Sequence, residues 1–339
     1  MGLTIPQLLD AARAAIEINM DEIEAARERR GLIRDALLAV FPGSRVYFNG
    51  SVAHGDAKSP LSDIDLGVIM AGADDQFGPG LEGPRPPMEL ARDGIREGLS
   101  DAYPKLRVQV DGKRRAVEIR FGEPVSSTAE DFTADVIVAV DNIGNTGLYI
   151  PNLPEDDWDP ADPLGHTSLV KAANARTGNV FARVVRLLKY WNERHGSPMC
   201  SWNIKVLAME CLLTPISLAD ALSAFFNHAV VALERGVTED PSGVAGPIEL
   251  NMPKIDVVSR LRDGAERIDT ALRAEAEGRP LTAQHHLSRL FPDLVDPVDP
   301  DALEQEEAAR VRAEVGRDRS VGVGTAAAVT LPRSRSWSA

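Results

Sequence analysis

The stretch Ser62-Asp63-Ile64-Asp65-Leu66 limits what this chain can fold into more than any other. On a strand, side chains two apart share a face. Ile64 and Leu66 then enter a core, while Asp63 and Asp65 project together from the opposite side. Two like charges that close repel, and both ionise readily only when a cation sits between them. Hard oxygen ligands on a rigid element suit Mg²⁺, which completes its shell with water and substrate phosphates.

The residues just upstream add an anion site. Phe48-Asn49-Gly50-Ser51-Val52-Ala53-His54-Gly55 places Gly50 after a short apolar strand, at the start of a helix-like segment. Outward-pointing N–H groups there favour an anion, Gly50 lets a phosphate approach the backbone, and Ser51 supplies a hydroxyl. His54 reads as a surface loop residue. Two-metal chemistry needs a third carboxylate. The candidates are Glu118 and Asp135. Asp135 is the choice, because a short side chain at the start of an apolar strand suits a rigid ligand. Glu118 sits among Arg114, Arg115 and Arg120, where surface pairing is expected.

Patterning along the chain gives the frame. Residues 4–40 carry apolar residues at helical spacing (Ile5, Leu8, Leu9, Ala12, Ile16, Ile23, Ile33, Leu37), with Thr4 as cap and Pro42-Gly43 as stop. The charged run 21–30 reads as a solvated face. Strands are expected at 45–48, 63–70 and 134–140, and at 106–110 and 116–121 around an Asp111-Gly112 turn. Residues 71–87 read as a mobile loop, and 151–170, punctuated by prolines, as another. Helices are expected at 180–194, 201–213, 218–235, 257–277, 283–290 and 301–315. The expected fold is α+β: an N-terminal helix over 1–43 packing on both lobes, a mixed sheet domain over 44–150, a helical domain over 151–315, and a disordered tail over 316–339.

Bulk properties exclude several function classes. A net charge of -14 argues against non-specific binding to long nucleic acid. At 5% aromatic residues, broad stacking platforms are not expected. The two cysteines, Cys200 and Cys211, read as free thiols of a reducing cytoplasm rather than a disulfide framework. No apolar run approaches the ~18–20 residues of a membrane span, and no signal peptide is evident. A cytoplasmic enzyme without a membrane partner is expected.

Gly50-Ser51, Asp63-Ile64-Asp65 and Asp135 together resemble the signature of the DNA-polymerase-β-like nucleotidyltransferase superfamily. Leu187-Leu188-Lys189-Tyr190-Trp191-Asn192, then Cys200-Ser201-Trp202, are similar to the helical-domain motif of bacterial cyclic-oligonucleotide synthases. These are relatives of cyclic GMP-AMP synthase and oligoadenylate synthase found in anti-phage defence operons. Residues 271–277 and Leu290-Phe291-Pro292 loosely resemble that family's closing helices, so the resemblance covers roughly residues 40–295. Asp56 departs from it, where relatives often carry Thr or Ser.

The resemblance implies a polymerase-β-like mixed sheet with a C-terminal helical domain. It implies two Mg²⁺ ions on Asp63, Asp65 and Asp135, with Mn²⁺ as a substitute, and cyclic di- or oligonucleotides made from nucleoside triphosphates. Gly50, Ser51, Lys189 and Ser201 would hold the triphosphate, and Trp202 would stack on a base. It also implies defence-operon partners, including a ubiquitin-like transfer system acting on the C-terminal Ser338-Ala339. His285-His286 matches no motif and reads as helix surface. Transfer of one nucleotide to an RNA end, a protein or a small molecule is a second enzymatic reading. A nucleotide sensor without turnover is a third.

Overall fold

Asp63–Ile69 forms the strand that organises the sheet, here β2. Its aliphatic residues are fully buried, Ile64 at 0% and Leu66 at 1% exposure, as a half-polar strand facing one core requires. The computed structural model describes residues 2–125 and 131–321. Arg45–Asn49 (β1) runs antiparallel to one edge of β2, and Thr133–Asp141 (β5) runs parallel to the other. Val117–Arg120 (β4) pairs antiparallel with β5, and Arg107–Gln109 (β3) with β4. The sheet order is β1-β2-β5-β4-β3. Beyond it, Leu148–Asn152 (β6) pairs with the end of β5, and Asp157–Ala161 (β7) pairs with β6. The turn at Asp111-Gly112 joins β3 and β4 as expected, with Gly112 at φ +78.

The expected single N-terminal helix is two helices. Ile5–Ala15 (α1) ends at Ile16, and Met20–Val40 (α2) starts after Asn19. The restart is a capping box: Asn19 Oδ1 accepts from Glu22 N at 2.8 Å, and Glu22 Oε2 accepts from Asn19 N at 3.3 Å. The break sends the two helices into different cores. Ile5, Leu8, Leu9, Ala12 and Ile16 belong to the helical core, and Ala26, Ile33 and Leu37 to the sheet core.

The run 21–30 is not simply solvated. Glu22 and Arg29 are each only 4% exposed. Glu22 Oε1 accepts from Leu61 N at 2.8 Å. Arg29 lies 4.2 Å over both Phe121 and Phe132 and pairs with Asp131 at 2.8 Å.

Two stretches expected as loops contain regular structure. Within 71–87 there is a short helix, Asp74–Phe77 (α4), and Arg85–Leu99 (α5) begins at its end with proline in the first turn. Within 151–170, Pro151 lies on β6, and two later prolines mark an edge strand and a helix start. Pro160 lies on the edge strand β7. Pro163 opens Pro163–Arg176 (α6), where Asp162 Oδ1 accepts from Gly165 N at 2.8 Å.

The helical half continues with Val180–Arg194 (α7), Ser201–Cys211 (α8), Leu218–Arg235 (α9), Lys254–Ala276 (α10) and Pro280–Leu290 (α11). The last helix, Pro300–Val321 (α12), runs past the expected end at 315. The remainder of the expected tail, 322–339, lies outside the described residues.

Candidate active site

The register of β2 against β5 brings the acidic residues together. Asp65 stands directly opposite Asp135, and Asp63 opposite Thr133. Partners in register on adjacent strands share a face, so all three carboxylates lie on one side of the sheet, away from the core that takes Ile64, Leu66, Ala134 and Val136. Glu118 faces Asp135 from β4, so a fourth acid shares this face. It is not on the surface, as its neighbours in sequence suggested, but 4% exposed. Its partners are Lys113, Arg120 at 3.0 Å and Gln109 at 2.7 Å, rather than Arg114 or Arg115. Glu118 is thus already neutralised. Among the described residues, Asp135 Oδ1 is buried without a hydrogen-bond partner.

Gly50 is dictated by Asp65. It sits at φ +71, and a Cβ there would lie 1.7 Å from Asp65 Oδ2. Any other residue would displace the carboxylate. Gly50–His54 forms one short helical turn, α3, after Asn49, which opposes Asp65 in register. Burial, reinforced by Asp63 and then Asp135, pushes the Asp65 carboxyl up to about 7. Asp135 is also raised, mainly by burial.

These carboxylates fit a hard divalent cation. The donors are all oxygen, they stand on adjacent strands, and one buried oxygen lacks a partner. Among the described residues no three His, Cys, Asp or Glu side chains form a ready-made metal cage. Mg²⁺ does not require one, because water and substrate phosphates fill most of its shell.

A cleft of about 330 Å³ opens over this face, between Gly50, Ser51, Asp63 and Asp65 on one wall and Lys189, Ser201, Trp202 and Lys205 on the other. Ser201 is exposed at the first turn of α8, and Lys205 lies one turn further on. Lys189, on α7, donates to the backbone O and Oδ1 of Asp56, at 3.2 Å each. Trp202 packs one face on His166, with ring centroids 4.2 Å apart, and its Nε1 is buried without a partner among the described residues. His166 is held by Asp240 at 2.7 Å. Trp191 is wholly in the core, against His195 and Phe226.

Sequence reasoning missed the floor of this cleft. His54, expected at the surface, is 5% exposed. Its Nε2 lies 3.1 Å from Thr167 Oγ1, and its Nδ1 2.8 Å from Lys205 Nζ. Burial, then the nearby Lys205 charge, hold the imidazole down at about 3. Lys205 itself belonged to no motif. A signal existed in its spacing of four from Ser201, which puts both on one helical face. Cys200 and Cys211 are free, as expected. His285 and His286 are half-buried on α11, with rings 5.6 Å apart, and do not line the cleft. Among the described residues, no helix is long and apolar enough to cross a membrane.

No protein-family model matches the chain. In sequence it is similar to the cyclic AMP-AMP-AMP synthase of Escherichia coli (strain MS 115-1), with 25% identity over 242 residues, 66% of this chain and 70% of that protein. In structure it is similar to E. coli MS115-1 CdnC, solved with ATP and also in a complex with HORMA-deltaN. With the ATP form the TM-score is 0.63 at 17% identity, covering 87% of this chain and 99% of CdnC. It is likewise similar to Vibrio cholerae DncV cyclic AMP-GMP synthase, a prokaryotic cGAS homolog, with a TM-score of 0.63 at 15% identity over 84% of this chain and 93% of DncV.

Proposed function

We propose, from a fold shared with bacterial cyclic-oligonucleotide synthases and a sequence related to one of them, that this protein is a nucleotidyltransferase that makes cyclic di- or oligonucleotides from nucleoside triphosphates. The observation that carries the reading is the placement of Asp63, Asp65 and Asp135 on one sheet face beside Gly50. Three carboxylates on one sheet face are more than nucleotide binding alone requires.

In this reading the donor triphosphate lies in the cleft. The Gly50-Ser51 turn approaches it from the sheet side, and Lys189 and Ser201 from the helical side. Trp202, backed by His166, offers a flat apolar surface for a base. Asp63 and Asp65 would hold one divalent ion, and Asp135 would join them in holding a second. Two bound Mg²⁺ ions would supply Lewis-acid polarisation and lower the pKa of the attacking hydroxyl. The acceptor hydroxyl loses its proton to solvent, its oxygen forms a bond to the α-phosphorus, the bond from that phosphorus to the bridging oxygen breaks, and pyrophosphate leaves. The protein's part is positioning and charge stabilisation. A second transfer within the bound linear product closes the ring.

The setting belongs to the same proposal: a cytoplasmic enzyme of bacterial anti-phage defence, working with proteins encoded beside it. Conjugation of Ala339 by a ubiquitin-like transfer system is part of that proposal. Intact-mass measurement with those partners present decides it, since an unchanged mass rejects conjugation.

The test of the activity is incubation with all four nucleoside triphosphates and Mg²⁺ or Mn²⁺, followed by mass spectrometry. Cyclic products are expected. A single nucleotide attached to a macromolecule or small molecule, or no release of pyrophosphate, would contradict the proposal.

A further inference from the structure

Asp56 is fully buried, at 0% exposure, beneath the cleft. Lys205 Nζ lies 2.8 Å from its Oδ2, and Lys189 Nζ donates to its Oδ1. Both lysines line the cleft beside Gly50 and Ser51, although Lys205 is itself only 4% exposed. A buried ammonium without a counter-charge tends to lose its proton or leave the site. Asp56 supplies that counter-charge. Burial pushes the Asp56 carboxyl up, but Lys205 and Lys189 more than offset this and hold it below its ordinary value.

The surrounding hydrogen bonds fix the rest. Thr167 donates its one hydroxyl proton to Asn49 Oδ1 at 3.1 Å. Its oxygen therefore accepts from His54 Nε2, which leaves His54 Nδ1 to accept from the Lys205 ammonium. The chain of donors runs from Lys205 through His54 and Thr167 to Asn49, the residue before Gly50. The backbone is held as firmly. His54 O accepts from Asn174 at 2.9 Å, Gly55 O from Arg186 at 3.1 Å and Asp56 O from Lys189 at 3.2 Å. Three successive carbonyls of one loop are gripped by side chains of α6 and α7.

We infer that Asp56 is a positioning residue for the phosphate-binding end of the cleft, holding Lys189 and Lys205 as a fixed, charged pair, so that Lys205 is a second phosphate-binding cation. The inference rests on the nucleotidyltransferase reading and deepens it. Asp56 is not a catalytic residue: it acts through the two lysines. A purely structural ion cluster is the competing account.

The test compares wild type, Asp56→Asn and Lys205→Met, together with Lys189→Met/Lys205→Met with and without Asp56→Asn. Affinity for inorganic tripolyphosphate is measured by calorimetry in EDTA, and KM and kcat for ATP in Mg²⁺. Asp56→Asn is expected to weaken tripolyphosphate binding at least 10-fold and to raise KM by a similar factor, while kcat falls less than 3-fold. In the background lacking both lysines, the same substitution is expected to change affinity less than 2-fold. Lys205→Met, which leaves the Asp56–Lys189 pair intact, carries the test if Asp56→Asn does not fold, and it too is expected to weaken binding at least 10-fold. Wild-type affinity in either single variant, or an equal loss from Asp56→Asn with both lysines gone, would overturn the inference alone. A wild-type protein that binds neither tripolyphosphate nor ATP would sink the nucleotidyltransferase reading, and this inference with it.

Discussion

The two walls of the cleft treat charge in opposite ways. Where the helical side meets the floor of the cleft the charges are paired: Asp56 lies between Lys189 and Lys205, one carboxylate for two ammoniums, and His54 is kept neutral between Lys205 and Thr167. On the sheet side Asp63, Asp65 and Asp135 crowd with only partial compensation from lysines nearby, Asp65 is pushed up to about 7, and an Asp135 oxygen is buried without a hydrogen-bond partner among the described residues. A fold tolerates such imbalance where another species completes it. Under the proposed function the paired groups hold the phosphate end of the cleft still, and the crowded carboxylates receive cations.

The largest effect expected is on the unbalanced wall. Asp65→Asn or Asp63→Asn should reduce pyrophosphate release by at least ~10³-fold, on the scale of removing a principal electrostatic element, with an unchanged circular dichroism spectrum. Full turnover in a folded variant would remove the distinction between the walls. Gly50→Ala should come next. Its Cβ would fall 1.7 Å from Asp65 Oδ2, so turnover should drop about 100-fold, the scale for displacing a catalytic group by about an ångström. Wild-type turnover in Gly50→Ala would show that the turn and the carboxylate are not in contact.

Stability against pH sharpens the comparison, because the carboxylate face and the floor of the cleft have opposite signs. The Asp65 carboxyl is raised from 3.8 to about 7 on folding. Without metal, its contribution is fully present below about pH 4 and is lost as pH rises through about 7. At pH 8 metal-free Asp65→Asn should therefore be more stable than wild type, by on the order of 2–4 kcal/mol, and should gain less from added Mn²⁺. Equal melting temperatures would count against an uncompensated carboxylate. His54 is lowered from 6.5 to about 3, so its contribution is present above about pH 6.5 and is lost as pH falls towards 3. The melting temperature of wild type should fall more steeply between pH 6.5 and 4 than that of His54→Gln; parallel curves would contradict a buried neutral imidazole.

The smallest effect is expected at Glu118, which faces Asp135 but is already paired. Glu118→Gln should change turnover less than ~5-fold, within the range of ordinary paired charges, whereas Asp135→Asn should match Asp65→Asn. Equal losses at 118 and 135 would mean that the sheet holds four functional acids.

The two walls also differ in how far they could be read from the residues alone. Asp63, Ile64, Asp65 and Leu66 announce a strand and its faces, because period-two alternation is local. Asp135 was chosen for its place at the start of an apolar strand, but its pairing with Asp65 comes only from the fold. The break between α1 and α2 was legible in Asn19-x-x-Glu22, although the apolar spacing on either side hid it. The prolines between 151 and 163 misled, since proline suits an edge strand and a helix start as well as a loop. The helical wall was less legible for a physical reason. The contact of His54 with Lys205 spans 151 residues, and no local pattern distinguishes a buried, paired lysine from a solvated one. Lys189 was picked out by resemblance, whereas for Lys205 the spacing of four from Ser201 was a signal that only the fold made readable.

Counting bound Mn²⁺ by electron paramagnetic resonance, in the presence of a non-hydrolysable ATP analogue, tests the central claim most directly. Wild type should bind two ions per chain, while Asp65→Asn and Asp135→Asn, still folded, should each bind fewer. Undiminished Mn²⁺ binding in both variants would contradict the assignment of these carboxylates as the metal site.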